Sequence, residues 1–363
     1  MKKLKVCWIS NIPSPYKTAV MNLLGEKCEL AALYEKQAES DRETAWYDRS
    51  FRNYTGLYLN RQNFRRIIQD MAASCDCLIN SDYSNPYAIY AAEQFRKRKK
   101  RVFLQADGGL AVPRGPLDLV ISMVMKRCSG YISPGSETDR YFAYYNIDTD
   151  KIDHYRFSCM SREEMQKADD MRKRKDEFRE KNGIREPYMI LSVGQQIPRK
   201  GYDILAEALN GIGRDCGVYI IGGEPEEHVL AYVKEHQLDS VHFIPFMEKE
   251  KLMEYYAAAD LFVLPTRYDI WGLVINEAMA YGLPVISTDR CVAAVEFRNL
   301  YDNALIVPAE NADELRKAIM TLMDDPHLAA QLGERSINGI QGYTLENMRD
   351  DLISILEKHV NQV

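Results

Sequence analysis

The sequence predicts an α/β protein with two doubly wound parallel sheets. Three observations carry that expectation. Short β-rich apolar runs alternate with helical stretches from one end of the chain to the other. The 363 residues leave room for two domains at roughly 100–200 residues each. A polar, charged stretch, Ser161–Glu186, breaks the alternation near the middle and ends at Pro187. Continuous apolar runs flanked by helices mean strands buried on both faces and joined by right-handed βαβ crossovers.

In the first half, strands are expected at Lys5–Ser10, Glu29–Tyr34, Cys77–Asn80, Val102–Gln105 and Gly130–Ser133. Helices are expected at Tyr16–Gly25, Pro86–Arg96 and Leu117–Cys128, with the apolar Leu117–Met125 stretch in the core. In the second half the strands are Met189–Val193, Val218–Ile221, His242–Pro245, Leu261–Leu264, Pro284–Ser287 and Leu305–Val307. The charged stretch, with its run Arg172-Lys173-Arg174-Lys175, reads as a helix and linker. Thr344–His359 carries Leu345, Met348, Leu352, Ile355 and Leu356 at helical spacing, a helix expected to pack back toward the first domain. The expected boundaries are residues 1–165 for the first domain, 166–187 for the linker, 188–343 for the second domain and 344–363 for the closing helix.

Composition bounds the class. Apolar residues at 46% and charged residues at 28% exclude disorder, collagen and coiled coil. A net charge of −6 does not suggest a nucleic-acid partner. No apolar run approaches the ~18 residues of a bilayer span. The basic start, Met-Lys-Lys-Leu-Lys, meets Asn11, Pro13, Ser14 and Pro15 too early for a signal peptide, so the chain is expected in the cytoplasm. Of the eight cysteines only Cys75 and Cys77 are close, at a spacing that matches no common zinc or redox signature. They read as small core residues, and with the histidines scattered no protein-built metal site is expected. Residues 1–160 hold 24 Lys and Arg against 18 Asp and Glu, a net of +6; the remainder holds 23 against 35, a net of −12. A basic first half suggests an anionic partner, a membrane surface or a phosphate-bearing acceptor. The unbroken run Arg96–Arg101 fits either a helix end that complements its macrodipole or contact with anionic lipid.

Two segments carry chemistry. Leu264–Thr288 reads as a strand, a loop with Asp269, Trp271 and Gly272, and a helix from about Leu273 to Tyr281. Gly282 then ends that helix and Pro284 prevents its continuation. The N–H groups near Gly272 and Leu273 thus form a phosphate site at a helix N-terminus. Asp269 and Glu277 flank it and suit sugar hydroxyls; the plainer reading is a loop acid and an ordinary helical Glu. Val193–Asp203 follows the first strand of the second sheet. There Gly194 permits a tight turn, and Arg199 and Lys200 can neutralise a diphosphate leaving group, or else are solvated loop cations. Doubly wound domains bind ligands outside the carboxyl ends of their strands, here in an expected cleft between the two sheets. Asp148-Thr149-Asp150 lies in a polar turn and reads as solvated.

The second half resembles retaining glycosyltransferases of family 4, with the two-domain GT-B fold. Val193, Gly194, Lys200 and Gly201 match the family's first loop. Gly272, Glu277, Ala278, Met279, Ala280, Gly282, Pro284 and Val285 match its Glu-(seven residues)-Glu segment. Ile221-Gly222-Gly223-Glu224 and Phe246-Met247 are similar as well, the latter where relatives contact the base. In the first half Pro13-Ser14-Pro15-Tyr16 and Asp107-Gly108-Gly109 resemble a subset of the family. Asp269 stands in place of the first Glu, Gln195 in place of an Arg, and Asp107 where relatives often carry a His.

The resemblance implies transfer of a sugar from a nucleotide diphosphate, UDP by preference, to a hydroxyl of a glycan or lipid-linked acceptor with retained anomeric configuration. It implies no cofactor and no protein metal, and a role in surface polysaccharide or glycoconjugate synthesis; the basic first half adds a peripheral place on the inner face of the membrane. Arg199, Lys200, Asp269 and Asp107 become the catalytic candidates. Gly194, Phe246, Met247, Trp271, Gly272, Leu273, Val274 and Glu277 become the donor site. Ser14, Pro15 and Tyr16 become the acceptor or phosphate loop. The first domain would then bind acceptor and the second the nucleotide sugar. A sugar-nucleotide epimerase, a phosphorylase and a non-catalytic nucleotide-binding module are the alternatives on the same scaffold. A dinucleotide dehydrogenase is disfavoured because no Gly-x-Gly-x-x-Gly follows either first strand.

Overall fold

A computed structural model describes residues 3–37, 47–82, 85–212 and 215–360. The chain runs β1 (Lys5–Ser10), α1 (Pro15–Lys27), β2 (Glu29–Tyr34), β3 (Thr55–Tyr58), α2 (Phe64–Ser74), β4 (Cys77–Asn80) and α3 (Pro86–Lys97). It continues through β5 (Arg101–Gln105), α4 (Leu117–Met125), β6 (Gly130–Ser133), α5 (Ser136–Tyr144) and β7 (Ile152–His154). Two helices follow, α6 (Arg162–Arg172) and α7 (Lys175–Lys181). The second alternation is β8 (Tyr188–Val193), α8 (Tyr202–Leu209), β9 (Cys216–Ile221), α9 (Glu227–Glu235), β10 (Val241–Ile244), α10 (Lys249–Ala258) and β11 (Leu261–Leu264). Next come α11 (Leu273–Ala280), β12 (Val285–Thr288), α12 (Val292–Tyr301) and β13 (Ala304–Val307). The chain closes with α13 (Ala312–Asp324), α14 (Pro326–Ile340) and α15 (Leu345–Val360).

The first compact unit comprises Met1–Ser158 and Tyr343–Val363. Its parallel sheet has the order β3-β2-β1-β4-β5-β6-β7. Cys7, Ile9 and Leu78 of the central strands pack under Ile68 and Ala72 of α2 and Ala91 and Phe95 of α3. A second cluster joins Leu104 and Tyr131 to Ile121 and Met125 of α4 and Phe142 of α5. On α15, the residues Leu345, Met348, Leu352, Ile355 and Leu356 form one buried stripe, and the helix packs on α1. Each such side chain contributes about 1.5–3 kcal/mol by leaving water. Polar ties fix its position: Arg156 forks onto Asp351 at 2.8 and 2.5 Å, and Asp153 takes Lys358 and His359 at 2.7 and 2.6 Å.

The second unit is Cys159–Gly342, with sheet order β10-β9-β8-β11-β12-β13. The stretch expected as a linker is part of it. Ser161 opens α6 with a capping box: its hydroxyl accepts the Glu164 N–H at 3.1 Å and the Glu164 carboxylate accepts the Ser161 N–H at 2.7 Å. Helices α6 and α7 pack on α10, with Lys175 and Arg179 paired to Asp260 and Lys181 to Glu254. The charges that read as a linker are the ion pairs of a docked helix pair.

Helix α4 corrects another expectation. Ile121, Val124 and Met125 are core, but Leu117, Leu119, Val120 and Met123 are 53, 72, 48 and 59% exposed. Among the described residues, no helix is long and apolar enough to cross a membrane.

Candidate active site

In the second unit the sheet order runs outward from the adjacent pair β8 and β11. The loops that follow those two strands therefore lie side by side at the topological switch point. After β8 the chain makes a single 3-10 turn, Pro198–Lys200. Gly194 lets the Lys200 stem lie against the strand end, because a Cβ there would stand 2.9 Å from the Tyr202 hydroxyl and 3.2 Å from Lys200 Cε. The turn is pinned from the loop after β11. Thr266 Oγ1 and the Arg267 N–H both donate to the Arg199 carbonyl at 2.9 Å. The Arg267 guanidinium donates to Pro198 O at 2.6 Å and to the Asp203 carboxylate at 2.9 and 2.6 Å.

This pinning delivers Lys200 Nζ to Asp269 Oδ2 at 2.6 Å. Arg199 stands 3.4 Å from the same oxygen and donates to the Tyr268 carbonyl at 2.8 Å. Lys200 and Asp269 are buried, 7 and 8% exposed, whereas the Arg199 side chain keeps 37% of its surface open. Asp269 is locked by its backbone, whose N–H donates to Arg290 O and whose carbonyl accepts the Val292 N–H. Burial pushes its carboxyl up, but the Lys200 charge and hydrogen bond and the Arg199 charge outweigh burial and hold it below 3.8. The three side chains together carry one net positive charge, presented through Arg199.

Beside them α11 begins at Gly272, left-handed at φ 97°, where a Cβ would meet Cys291 Sγ at 2.9 Å. Leu273 and Val274 are the first helical residues, so their N–H groups have no partner within the helix and point out of its positive end. Trp271 corrects its assignment to the donor site. It is 2% exposed, its indole N–H donates to Asn276 Oδ1 at 3.0 Å, and its ring packs edge-on against Phe297. It anchors the loop in the core and offers no ring face to a ligand. Phe246, 40% exposed, and the half-buried Met247 follow β10.

Glu277 lies in the second turn of α11. Its carboxylate accepts the Tyr256 hydroxyl at 2.8 Å and the Cys159 thiol at 3.6 Å. Burial raises its pKa, against the opposing charge of Lys249, which itself pairs with Glu164 at 2.6 Å. Tyr256, Cys159 and Lys249 have no motif, and the sequence reading missed them.

The first unit has its own cluster. Ser14 caps α1 without a side-chain cap bond and Pro15 takes the first helical position. The Tyr16 hydroxyl donates to Asp107 Oδ2 at 2.6 Å, and Lys17 Nζ stands 3.0 Å from the same oxygen and 3.2 Å from Ser10 Oγ. Gln105 donates to Asp107 Oδ1 at 2.9 Å and to the Tyr155 hydroxyl. Behind it Trp8 Nε1 donates to Ser81 Oγ and Ser81 Oγ to Gln105 Oε1, both at 2.6 Å. Burial pushes the Asp107 carboxyl up; the Lys17 charge and the hydrogen bonds from Gln105, Tyr16 and Lys17 outweigh it and hold Asp107 below 3.8. Both its oxygens are engaged, so Asp107 is the charged hub of a polar network. Lys17, Gln105 and Ser81 escaped the sequence reading. The visible signals were a cation directly after Tyr16 and an amide ending an apolar strand.

Asp148 accepts the Asp150 N–H at 3.1 Å in a 3-10 turn. Among the described residues, no three His, Cys, Asp or Glu side chains gather as a metal site.

Residues 174–339 match the family model of glycosyl transferases group 1. An uncharacterised glycosyltransferase of Haemophilus influenzae is 28% identical over 172 residues, 46% of this chain and 48% of that protein. A GDP-mannose-dependent alpha-(1-6)-phosphatidylinositol monomannoside mannosyltransferase of Mycolicibacterium smegmatis is 31% identical over 172 residues, 43% of this chain and 44% of that protein. The chain spans about half the length of the curated relatives it matches. The crystal structure of Anabaena HepE in complex with UDP-glucose superimposes with a TM-score of 0.76 at 13% identity, covering 98% of this chain and 100% of that one. With its two parallel α/β sheets the chain has the GT-B fold, and its residues 174–339 are similar to the glycosyl transferases group 1.

Proposed function

We propose that this chain is a retaining glycosyltransferase. It moves a sugar from a nucleoside diphosphate, UDP by preference, to a hydroxyl of a glycan or lipid-linked acceptor, without a protein-bound metal. The observation that carries this reading is the Arg199–Lys200–Asp269 cluster beside the amide end of α11, inside the segment matched by the family. Breaking the bond between the anomeric carbon and the phosphate oxygen leaves negative charge on the diphosphate. Arg199, Lys200 and the N–H groups of Leu273 and Val274 meet that charge as it develops. Asp269 holds the two cations in place and offers its carboxylate to donor hydroxyls. Glu277 takes the ribose. The acceptor hydroxyl gives its proton to a departing phosphate oxygen on the same face of the sugar.

In the first unit, Asp107 with Tyr16 and Lys17 orients an acceptor hydroxyl. UDP is favoured by the likeness to a fold that holds UDP-glucose, and a lipid-linked acceptor by the mannosyltransferase. The excess of cations in residues 1–160 makes an anionic membrane surface its second partner and the inner leaflet its place of work.

The test is a panel of UDP-, GDP- and ADP-sugars, read by thermal shift and by donor hydrolysis. A donor at 100 times its Kd raises stability by about 2.7 kcal/mol. One nucleotide sugar should raise Tm and be hydrolysed slowly. A chain stabilised by a nucleotide sugar without turning it over is a binding module, and a chain stabilised by none lacks the donor site.

A further inference from the structure

Helix α4 is apolar around almost its whole circumference. Its inner side, Ile121, Val124 and Met125, fills the core. Its outer side carries Leu117, Leu119, Val120 and Met123, all about half exposed or more. A helix that faces water normally shows charges there. The one acid of the helix, Asp118, is turned back onto the protein, where it accepts the Arg114 N–H and the Tyr145 hydroxyl at 2.8 Å and the Tyr144 hydroxyl at 3.0 Å. The outer face is thus free of negative charge, and Tyr144, 39% exposed, stands beside it.

Cations border the face. Lys126 and Arg127 follow the helix directly and are exposed. Successive right-handed crossovers from β4 to β5 and from β5 to β6 set α3 and α4 side by side on one face of the sheet. Their C-terminal ends share one edge, and Cys128, just past α4, packs against the core clusters of both helices. The exposed end of α3, Arg96 to Lys99, therefore adds to Lys126 and Arg127; Arg96 and Lys97 share the Glu93 carboxylate at 3.2 and 3.9 Å, so the four side chains add a net three positive charges. Lys100 is excluded, because its ammonium donates to the Ala73 and Cys75 carbonyls at the end of α2.

The geometry points to the outer face of α4 as a membrane-docking surface: Leu117, Leu119, Val120 and Met123 enter the interface of an anionic bilayer while Lys126, Arg127 and the end of α3 meet its headgroups. The occupant is a lipid surface because apolar side chains and a cationic border occur together on one short helix, the combination that lies in an interface plane. Tyr144 suits the same boundary, with its ring at headgroup level. This deepens the membrane partner proposed above, rests on that reading, and moves the main contact from the Arg96–Arg101 run to α4.

The test uses the full chain and vesicles of phosphatidylcholine with and without phosphatidylglycerol, read by co-sedimentation. The parent should bind the anionic vesicles, and bind them less as salt rises. Leu119→Ser with Met123→Ser should weaken binding by roughly tenfold or more, with thermal unfolding and donor hydrolysis unchanged. Lys126→Gln with Arg127→Gln should weaken it at low salt and by less at high salt. Parent-like vesicle binding by the Leu119/Met123 variant overturns the assignment to α4. Absence of binding by the parent overturns it too; if light scattering then shows a dimer that the same variant dissociates, the face is a self-association surface. Vesicle binding by a parent that hydrolyses no nucleotide sugar overturns the transferase reading and leaves this one standing.

Discussion

At the scale of single residues, the two candidate clusters share one device. A carboxylate holds a buried lysine, the carboxylate itself buried at Asp269 with Lys200 in the second unit and partly buried at Asp107 with Lys17 in the first. Lys200→Ala should cut turnover by about 100-fold or more through lost charge stabilisation. It should also destabilise the fold by about 3–5 kcal/mol, because Asp269 loses its main buried partner. Adding Asp269→Asn should restore the thermal midpoint without restoring turnover; recovery of both would make Lys200 a purely structural residue. Arg199→Ala, with its guanidinium part-exposed, should lose turnover alone, and steady-state rates within about threefold of the parent would remove it from the charge-stabilising group. Glu277→Gln should weaken binding of the free nucleoside diphosphate by about 1.5–3 kcal/mol in a calorimeter, with the fold retained through Tyr256. Unchanged affinity would mean that Glu277 serves its buried neighbours and not the ribose.

At the scale of elements, the buried strands were legible, as were both edges of the second sheet, and the two edges of the first sheet were not. Val6 to Ser10 and Met189 to Val193 are buried on both faces, so their apolar runs announce them. Strands β3 and β7 escaped because each borders its sheet with few apolar residues: β3 contains Gly56, and β7 has three residues, Ile152, Asp153 and His154. Such half-covered strands have little apolar signal to give. The loop from Leu264 to Gly272 and the stop at Gly282 were visible because glycine chemistry marks them, and Gly282 is indeed left-handed at φ 70°. What sequence could not show is which side of an element faces inward. Trp271 reads as part of the donor site and is a core anchor; α4 reads as core and is half exposed. Partners distant in the chain, such as Cys159 and Tyr256 at Glu277, are invisible for the same reason. The start of α11 supplies a test at this scale. Gly272→Ala forces a side chain into a left-handed position against Cys291 Sγ and should lower stability by at least about 1–2 kcal/mol, read as a lower denaturant midpoint. A midpoint equal to the parent's would show that the turn relaxes freely.

At the scale of the whole molecule, the paired carboxylates set the response to acid. Asp107 and Asp269 are both held below 3.8, so each contributes stability that is present above that value and is lost as pH falls through its depressed folded pKa. The parent should lose helical circular dichroism on acidification below about pH 4. Asp107→Asn and Asp269→Asn should each start less stable at neutral pH, and their deficit should shrink toward pH 2. A deficit constant with pH would mean that the carboxylates carry no charge. Chelator should leave transfer intact, since Arg199, Lys200 and helix amides are proposed to meet the diphosphate; loss in EDTA restored by magnesium or manganese would assign that task to a metal.

The division of the first unit between the two ends of the chain also orders events during synthesis. The sheet of β1 to β7 leaves the ribosome before any of Cys159–Gly342, and α15 leaves after all of it. At roughly 5–20 residues per second the nascent chain waits on the order of 10–40 s for its last helix. Throughout that interval the flank of α1 that α15 later covers is bare, while the second unit, contiguous in sequence, already has every residue it needs. The later-made half is therefore the first to mature, and the earlier-made half is the natural client of a holding chaperone.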